Sequence, residues 1–328
     1  MEKHYIVWWN VENLFSFQND PDRSEKLERE IAGELEGWTA SVLNKKLNQL
    51  AKIIKQMNGG LGPDILGVCE IENESVLEKL ISKLSSLGRN YKTVHANTKD
   101  RRGIDVAFIF DEDYYSVDRS KVFSHFILRR NATRDILQAS FETARGNRLV
   151  LMGNHWPSRR GGAVASAPYR MMAGETLAYF HERTRQIDGE DQALLVLGDF
   201  NDEPFDVSMV EYALSERSKR RVISDRTEKP YLFNLSWELT GEGTGTHYYG
   251  GTFGMLDQIL VNKPVLNGES PFKLGSGFEI LKFDEMVKSL GRPKRFGRPS
   301  SPNQYDEDGF SDHFPIAIVL EEKETPTA

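Results

Sequence analysis

Near the C-terminus, Gly309-Phe310-Ser311-Asp312-His313-Phe314-Pro315 leads into the apolar run Ile316-Ala317-Ile318-Val319-Leu320. An acid and a histidine therefore stand side by side where a strand begins. Neighbours on a strand point to opposite faces, but at its first residues the backbone can turn both into one pocket. One Asp-His pair says little, since most such pairs lie in turns or on surfaces. Here, however, four further apolar segments run into polar groups. Residues 6–9 lead to Asn10, with Glu12 two positions on, and residues 65–69 lead to Glu70. Residues 149–153 lead to Asn154 and His155, and residues 194–198 lead to Asp199 and Asn201. Asp257 adds an acid inside the apolar stretch 254–260.

These residue types suit attack on a phosphate ester. That reaction needs charge stabilisation on the phosphoryl oxygens and an activated water. Carboxylates with an amide oxygen hold a hard divalent cation such as Mg²⁺, which acts as Lewis acid and template. Glu70, with Asn10, Glu12 and Asp312, supplies such a set, with Mn²⁺ as the alternative ion. Asp199 and Asn201 form a carboxylate–amide pair suited to orienting water. His313 pairs naturally with Asp257, and a neighbouring acid raises a histidine pKa, fitting it to stabilise charge or move a proton. His155 is a second histidine for the opposite side. Each residue alone has a plainer reading. An acid after a strand starts a turn or caps a helix, Glu12 faces solvent, Asn201 makes an Asx turn, and Asp257 is paired in the core. What favours a site is the number of strand ends, because the ends of one sheet edge converge.

Strands and helices must stand behind these ends. Helical spacing begins about Trp38 and continues through Val42, Leu43, Leu47, Leu50, Ile53 and Ile54 to Asn58-Gly59-Gly60. A second helix opens about Glu74 and is stopped by Gly88, and a long one spans residues 167–185. Strands are expected at 65–69, 91–95, 104–110, 122–127, 135–142, 149–154, 193–197, 256–261 and 316–320. Residues 16–37 read as loop with some helix, and 263–311 as mostly loop. This order fits neither a simple doubly wound sheet nor an all-β barrel. Two packed sheets with helices outside would fit it. No repeat or linker divides the chain, so residues 1–322 are expected to form one domain and 323–328 a polar tail.

The chain has 328 residues, 39% apolar and 28% charged, and no apolar run approaches the roughly 18 residues of a membrane span. With no leader visible, the expectation is a cytoplasmic protein, or a secreted or periplasmic one whose leader has been removed. Cys69 is the one cysteine, which excludes an internal disulfide, and it reads as a small buried strand residue. A net charge of −7 is unlike that of a typical duplex binder. The charge is uneven, with basic clusters at Lys99/Arg101/Arg102, Arg129/Arg130/Arg134, Arg159/Arg160, Arg217/Lys219/Arg220/Arg221 and Arg292/Lys294/Arg295/Arg298. The sequons at Asn73, Asn131 and Asn234 carry no weight, and His247 reads as a plain loop histidine or a rim residue.

Six ordered blocks resemble the endonuclease/exonuclease/phosphatase superfamily, the group of deoxyribonuclease I and exonuclease III. They are Trp9-Asn10-Val11-Glu12-Asn13-Leu14, Val68-Cys69-Glu70-Ile71-Glu72-Asn73, Gly153-Asn154-His155-Trp156-Pro157-Ser158, Gly198-Asp199-Phe200-Asn201-Asp202-Glu203-Pro204, Leu256-Asp257-Gln258-Ile259 and Ser311-Asp312-His313-Phe314-Pro315. The resemblance implies a four-layered α/β sandwich of two mixed sheets flanked by helices. It makes Glu70 the main Mg²⁺ ligand, with Asn10 beside it. It makes Asp199 and Asn201 the water- and phosphate-orienting pair, and Asp257 the partner of His313. His155 takes the place of a histidine or tyrosine of the family. It gives Arg159 and Arg160, directly after His155, a phosphate to grip, and Arg134 likewise, unless Arg134 pairs with Asp135. The loop 292–298 would flank the cleft.

Within the superfamily, Leu-Asp-Gln around Asp257 differs from the Cys-Asp-Arg usual in inositol polyphosphate 5-phosphatases. No apolar hairpin of a membrane-binding kind is apparent, which weakens a sphingomyelinase reading. The blocks around Arg102, Arg134 and His155 resemble a bacterial subgroup labelled as nucleases. The expectation is a Mg²⁺-dependent phosphodiesterase on DNA or RNA. The alternatives are an enzyme for a small or lipid-linked phosphate ester, and a non-catalytic binding module.

Overall fold

The computed structural model describes residues 1–129, 133–224, 226, 229–241, 243–301 and 305–324. Arg130, Asn131 and the last four residues of the expected tail lie outside them. The strands are β1 (Glu2–Leu14), β2 (Ile65–Ile71), β3 (Tyr91–His95), β4 (Asp105–Asp111), β5 (Tyr115–Val117) and β6 (Phe123–His125). They continue as β7 (Ile136–Thr143), β8 (Arg148–His155), β9 (Ala193–Asp199), β10 (Ser215–Glu216), β11 (Leu232–Asn234) and β12 (His247–Tyr249). The last are β13 (Thr252–Gly254), β14 (Asp257–Val261), β15 (Phe272–Ile280), β16 (Val287–Lys288), β17 (Arg292–Pro293) and β18 (Ile316–Glu322). The helices are α1 (Glu25–Ile31), α2 (Ala40–Ile54), α3 (Glu74–Lys83), α4 (Ala163–Asp188), α5 (Lys219–Val222) and α6 (Lys263–Asn267).

One sheet runs β15-β18-β1-β2-β4-β3 and the other β10-β11-β14-β9-β8-β7-β5, with β6 also on β7. Both are mixed: β1 is parallel to β2 and antiparallel to β18, and β9 is parallel to β8 and antiparallel to β14. The period-two alternation of β1 sets the layers. Ile6 and Trp8 face the other sheet, packed with Phe108, Phe141, Leu197 and Ile259. Val7 and Trp9 face outward onto Leu43, Leu47 and Leu50 of α2 and Leu77 of α3. Across the second sheet, Val150, Met152 and Val196 pack on Ala173 and Leu177 of α4. The result is a four-layered sandwich, helix–sheet–sheet–helix. Burial on both faces is why these strands read as unbroken apolar runs. Each fully buried large side chain contributes about 1.5–3 kcal/mol, against about 0–1 for a surface ion pair, so the layers rest on the former.

Helix starts follow their caps. Thr39 Oγ1 accepts from Val42 N, and Asn73 Oδ1 from Val76 N, satisfying orphan N–H groups. Cys69 is buried in β2, as expected. Two expectations need correction. Residues 263–311 hold more regular structure than expected, since β15 forms a nine-residue edge strand. Its pairing with β18 breaks register between Leu274 and Ser276 and again before Glu279. Those irregularities at Gly275 and Gly277 erase the alternation that marks a strand. The long helix begins at Ala163 rather than 167 and runs through Pro168, a residue that usually marks a helix start.

On α4, His181 is buried, and burial, with Arg185 adding to it, pulls its pKa from 6.5 down to about 4. The folded state keeps it neutral while the unfolded chain can charge it. Its contribution is therefore complete above pH 6.5 and is lost as pH falls toward about 4. We expect the melting temperature to fall across that window, by an equivalent of order 1–3 kcal/mol for this group. His181→Gln should flatten that part of the profile. A profile unchanged by the substitution would show that His181 does not drive it.

Candidate active site

The register of three neighbouring strands puts three site residues in a row. Asp199 of β9 pairs with His155 of β8 on one side and Asp257 of β14 on the other. Asn10 of β1 reaches across from the first sheet and donates from Nδ2 to Asp199 Oδ2 at 3.0 Å. The strands can approach this closely because residue 198 is glycine: a Cβ there would lie 2.5 Å from Asn154 Cβ. Glu12, Asn13, Glu70 and Asn201 all have left-handed φ, between 52° and 64°. Such backbone costs about 1–3 kcal/mol per residue and gathers at functional sites. At Glu70 it coincides with the register break between Cys69 and Ile71, which turns the carboxylate out of the ladder.

His313 Nδ1 lies 2.6 Å from Asp257 Oδ2 and, facing a carboxylate, donates to it. The two tryptophans of β1 hold this pair from opposite faces. Trp8 Nε1 donates to Asp257 Oδ1 at 3.2 Å, and Trp9 Nε1 to the His313 carbonyl at 3.0 Å. Ser311 Oγ accepts from His313 N and donates to Asn10 O, tying the start of β18 to β1. His313 Nε2 stands 4.0 Å from Asp199 Oδ2. Burial opposes charge on His313, but the carboxylates of Asp257 and Asp199 outweigh it and hold the imidazole protonated well above its ordinary range. Burial, with Asp257 adding, pushes the Asp199 carboxyl up, against His313. His155 behaves in the opposite way: burial, with Arg134 and Arg102 adding, keeps it neutral. Its Nε2 lies 3.6 Å from Glu70 Oε1 and 3.7 Å from Asp199 Oδ2.

The proposed cation ligands divide into open and occupied groups. Glu70 Oε2 accepts from Asn13 N at 2.9 Å, which aims the carboxylate, and Oε1 accepts no hydrogen bond among the described residues. Among the described residues, Asp312 has one ion-pair partner within 4.0 Å, Arg295 at 3.6 Å, with His247 and Lys46 acting on its charge from farther away. Asn10 Oδ1 takes the Glu12 N–H and keeps one lone pair. Glu12 does not fit the expectation of an open ligand. It is buried, Oε1 accepts from Arg295 at 2.6–2.7 Å and Oε2 from Phe296 N at 3.0 Å. Asp199, Asp257 and His313 also place ligand atoms within 4.8 Å of one another, an arrangement that could hold an ion.

The arginines expected to grip phosphate behave differently from one another. Arg159 is a structural clamp: Nε donates to Asn201 O at 2.7 Å, and the guanidinium pairs with Asp206 at 2.8 Å and Asp202 at 3.3 Å. Arg134 is buried and bonded to Asp100, not to Asp135, whose carboxylate accepts from Ser124. Arg160 is exposed at the rim.

Three residues were missed or undervalued. Lys46 is buried beside Glu12, Asp312 and Glu70 and donates to Phe310 O. A lysine at the spacing of Val42, Leu43 and Leu50 was the available signal. Arg295 lay in a basic cluster with no sign of which arginine mattered. His247 packs on His313 with the rings tilted by 35° and centroids 4.6 Å apart, beside a cleft of about 700 Å³ lined also by Asn201, Tyr249 and Phe253.

The sequence model of the Endonuclease/Exonuclease/phosphatase family matches residues 5–322. The chain belongs to this family. Its members are phosphoric ester hydrolases that typically use divalent metals. No curated protein matches the chain in sequence. Solved structures share the fold at low identity. Zebrafish (D. rerio) TDP2 complexed with a single-strand DNA product has a TM-score of 0.59 at 12% identity, covering 98% of this chain and 100% of its own. The mannosyl-6-phosphatase of Bacteroides thetaiotaomicron has a TM-score of 0.58 at 14% identity, covering 97% and 99%. The human nocturnin catalytic domain, with bound sulfate, has a TM-score of 0.54 at 15% identity, covering 98% and 95%. Among the described residues, no helix is long and apolar enough to cross a membrane.

Proposed function

We propose that this chain is a divalent-cation-dependent phosphodiesterase that cleaves DNA or RNA, with residues 1–322 as the working unit and 323–328 as a tail. The observation that carries this reading is a buried, hydrogen-bonded Asp257–His313 pair facing Asp199, beside the open carboxylates of Glu70 and Asp312. Two carboxylates with a free amide lone pair suit a hard cation, so Glu70, Asp312 and Asn10 would hold Mg²⁺, or Mn²⁺ in its place. When bound, the ion stabilises charge on the phosphoryl oxygens. Glu12 instead orders the Arg295 loop around the site.

The chain's own groups account for the remaining chemistry. Asp199 Oδ1 accepts from Asn201 N at 2.9 Å and Oδ2 from Asn10, so the carboxylate is fixed where it can orient a water. His313 donates from Nε2 to a phosphoryl oxygen as negative charge develops. Neutral His155 offers Nε2 from the opposite side. The cleft of about 700 Å³ with Tyr249 and Phe253 at its wall is larger than a bare phosphate requires, and aromatic faces accept bases in a sequence-tolerant way. The single-strand DNA product held by TDP2 agrees with this reading. The acidic chain favours a short single-stranded stretch over a long duplex footprint.

Hydrolysis of supercoiled DNA, single-stranded DNA and RNA, bis-p-nitrophenyl phosphate and p-nitrophenyl phosphate tests it, with Mg²⁺, Mn²⁺ or EDTA. We expect cleavage of nucleic acid and of the diester, abolished by EDTA, with an affinity that falls as salt rises. Activity confined to p-nitrophenyl phosphate would overturn the reading and point to a small phosphorylated metabolite, as the name of the Bacteroides protein does for that protein.

A further inference from the structure

A second cleft of about 410 Å³ lies beside the active site, lined by Arg101, Arg102, Arg129, Arg134, Arg160 and Asp100. Among the described residues, five arginines and one carboxylate thus line the cleft, in a chain whose net charge is −7. That carboxylate is already engaged, accepting from Arg102 N at 2.9 Å and Arg134 Nη1 at 3.4 Å. Arg134 is only 3% exposed, and its Nε has no partner among the described residues. That nitrogen is closed off from solvent, so Arg134 adds a fixed, buried positive charge at the cleft wall rather than a direct contact to a bound anion. Arg129 stacks on Tyr169 with its guanidinium 4.3 Å from the ring centroid, which fixes the plane of its donors. Ala165 and Ser166 line the cleft from the first turn of α4, whose N-cap, Gly162, supplies no side-chain acceptor. The free N–H groups and dipole of that 26-residue helix add to the attraction for an anion.

One carbonyl joins the cleft to the active site. Trp156 O accepts from Arg134 Nη2 at 2.7 Å and from Asn201 Nδ2 at 3.1 Å, so the guanidinium and the catalytic-side amide are neighbours. Arg160 lines both this cleft and the larger aromatic one.

We propose that the arginine cleft is an anion subsite for a terminal phosphate of the substrate, distinct from the phosphate being hydrolysed. The proposal rests on reading the neighbouring centre as a phosphodiesterase. An internal diester carries one negative charge, whereas a terminal phosphate carries close to two and three acceptor oxygens, which better matches five guanidiniums. The chain then selects nucleic acid ends that bear a phosphate over ends with a free hydroxyl.

The test has two arms. Inorganic phosphate is titrated calorimetrically in EDTA into the wild-type protein, His313→Ala and the double variant Arg102→Ala/Arg129→Ala, each first shown to melt cooperatively. We expect equal binding by the first two and binding about tenfold weaker or more in the double variant, partly restored by Arg102→Lys/Arg129→Lys. A dithymidine dinucleotide with a 5′-phosphate is then compared with the same dinucleotide without it. We expect the wild type to favour the phosphorylated one by about tenfold, mostly in KM, and the double variant to lose the preference. Phosphate binding that is absent in the wild type, or undiminished in the double variant, would overturn the subsite. So would equal kcat/KM for the two dinucleotides. If neither dinucleotide is cleaved, the calorimetry alone decides the subsite, while the nuclease reading stands or falls on the polynucleotide panel above.

Discussion

His313→Ala is expected to lower kcat on bis-p-nitrophenyl phosphate by about 10³-fold, with KM little changed. The imidazole is preorganised by four contacts. Asp257 holds Nδ1 at 2.6 Å, Trp9 binds its carbonyl, Ser311 receives its N–H, and His247 packs on its ring. A donor fixed in this way acts on the transition state more than on bound substrate, so its loss falls on kcat. Asp257→Asn tests the same pair through pH. The Asp257 charge is the largest influence raising the His313 pKa against burial. Removing that charge lowers the pKa, so activity should be lost at lower pH on the alkaline side than in the wild type. Metal binding decides between two uses of these residues. If Asp199, Asp257 and His313 form a proton-bearing cluster, His313→Ala leaves Mn²⁺ affinity unchanged in calorimetry. A large loss of affinity would make the cluster an ion site instead.

The site was legible in the sequence to the extent that strand ends are. Asp199, His155 and Asp257 sit at ends of apolar runs, and neighbouring strands with matched register bring such ends together without further information. The pairing of Asp257 with His313 followed from residue type once those ends converged. The fate of Glu12 was not legible. Its partner Arg295 is 283 positions away, on a loop whose course depends on the small β16–β17 hairpin and on contacts around Phe296. Nothing local separates an acid awaiting a cation from one already held by an arginine. The partners of Arg159 were hidden for a related reason. Proximity to His155 in sequence suggested a phosphate, but Asp202 and Asp206 lie closer in space. Strand β15 was hidden because its register breaks remove the alternation on which strand recognition relies.

That distinction between open and occupied carboxylates gives the second large effect. Glu70→Ala should raise the Mg²⁺ concentration for half-maximal activity by about 100-fold or more, and reduce kcat at saturating metal. Among the described residues, the Glu70 side chain accepts one hydrogen bond, from Asn13 N, with His155 Nε2 3.6 Å away, so its removal leaves few protein donors unpaired, and the melting temperature should change little. Glu12→Ala should do the reverse. It removes the acceptor for Arg295 and Phe296 N, leaves a half-buried guanidinium beside Lys46, and should cost about 3–5 kcal/mol of stability. Its effect on the Mg²⁺ requirement should be smaller than that of Glu70→Ala, because Glu12 has no oxygen free of protein donors. Measuring Mg²⁺ activation and thermal unfolding on both variants separates the roles. If Glu12→Ala raised the Mg²⁺ requirement as much as Glu70→Ala while leaving stability intact, the Arg295 clamp would have to open in the working enzyme, and Glu12 would join Glu70 and Asp312 around the ion.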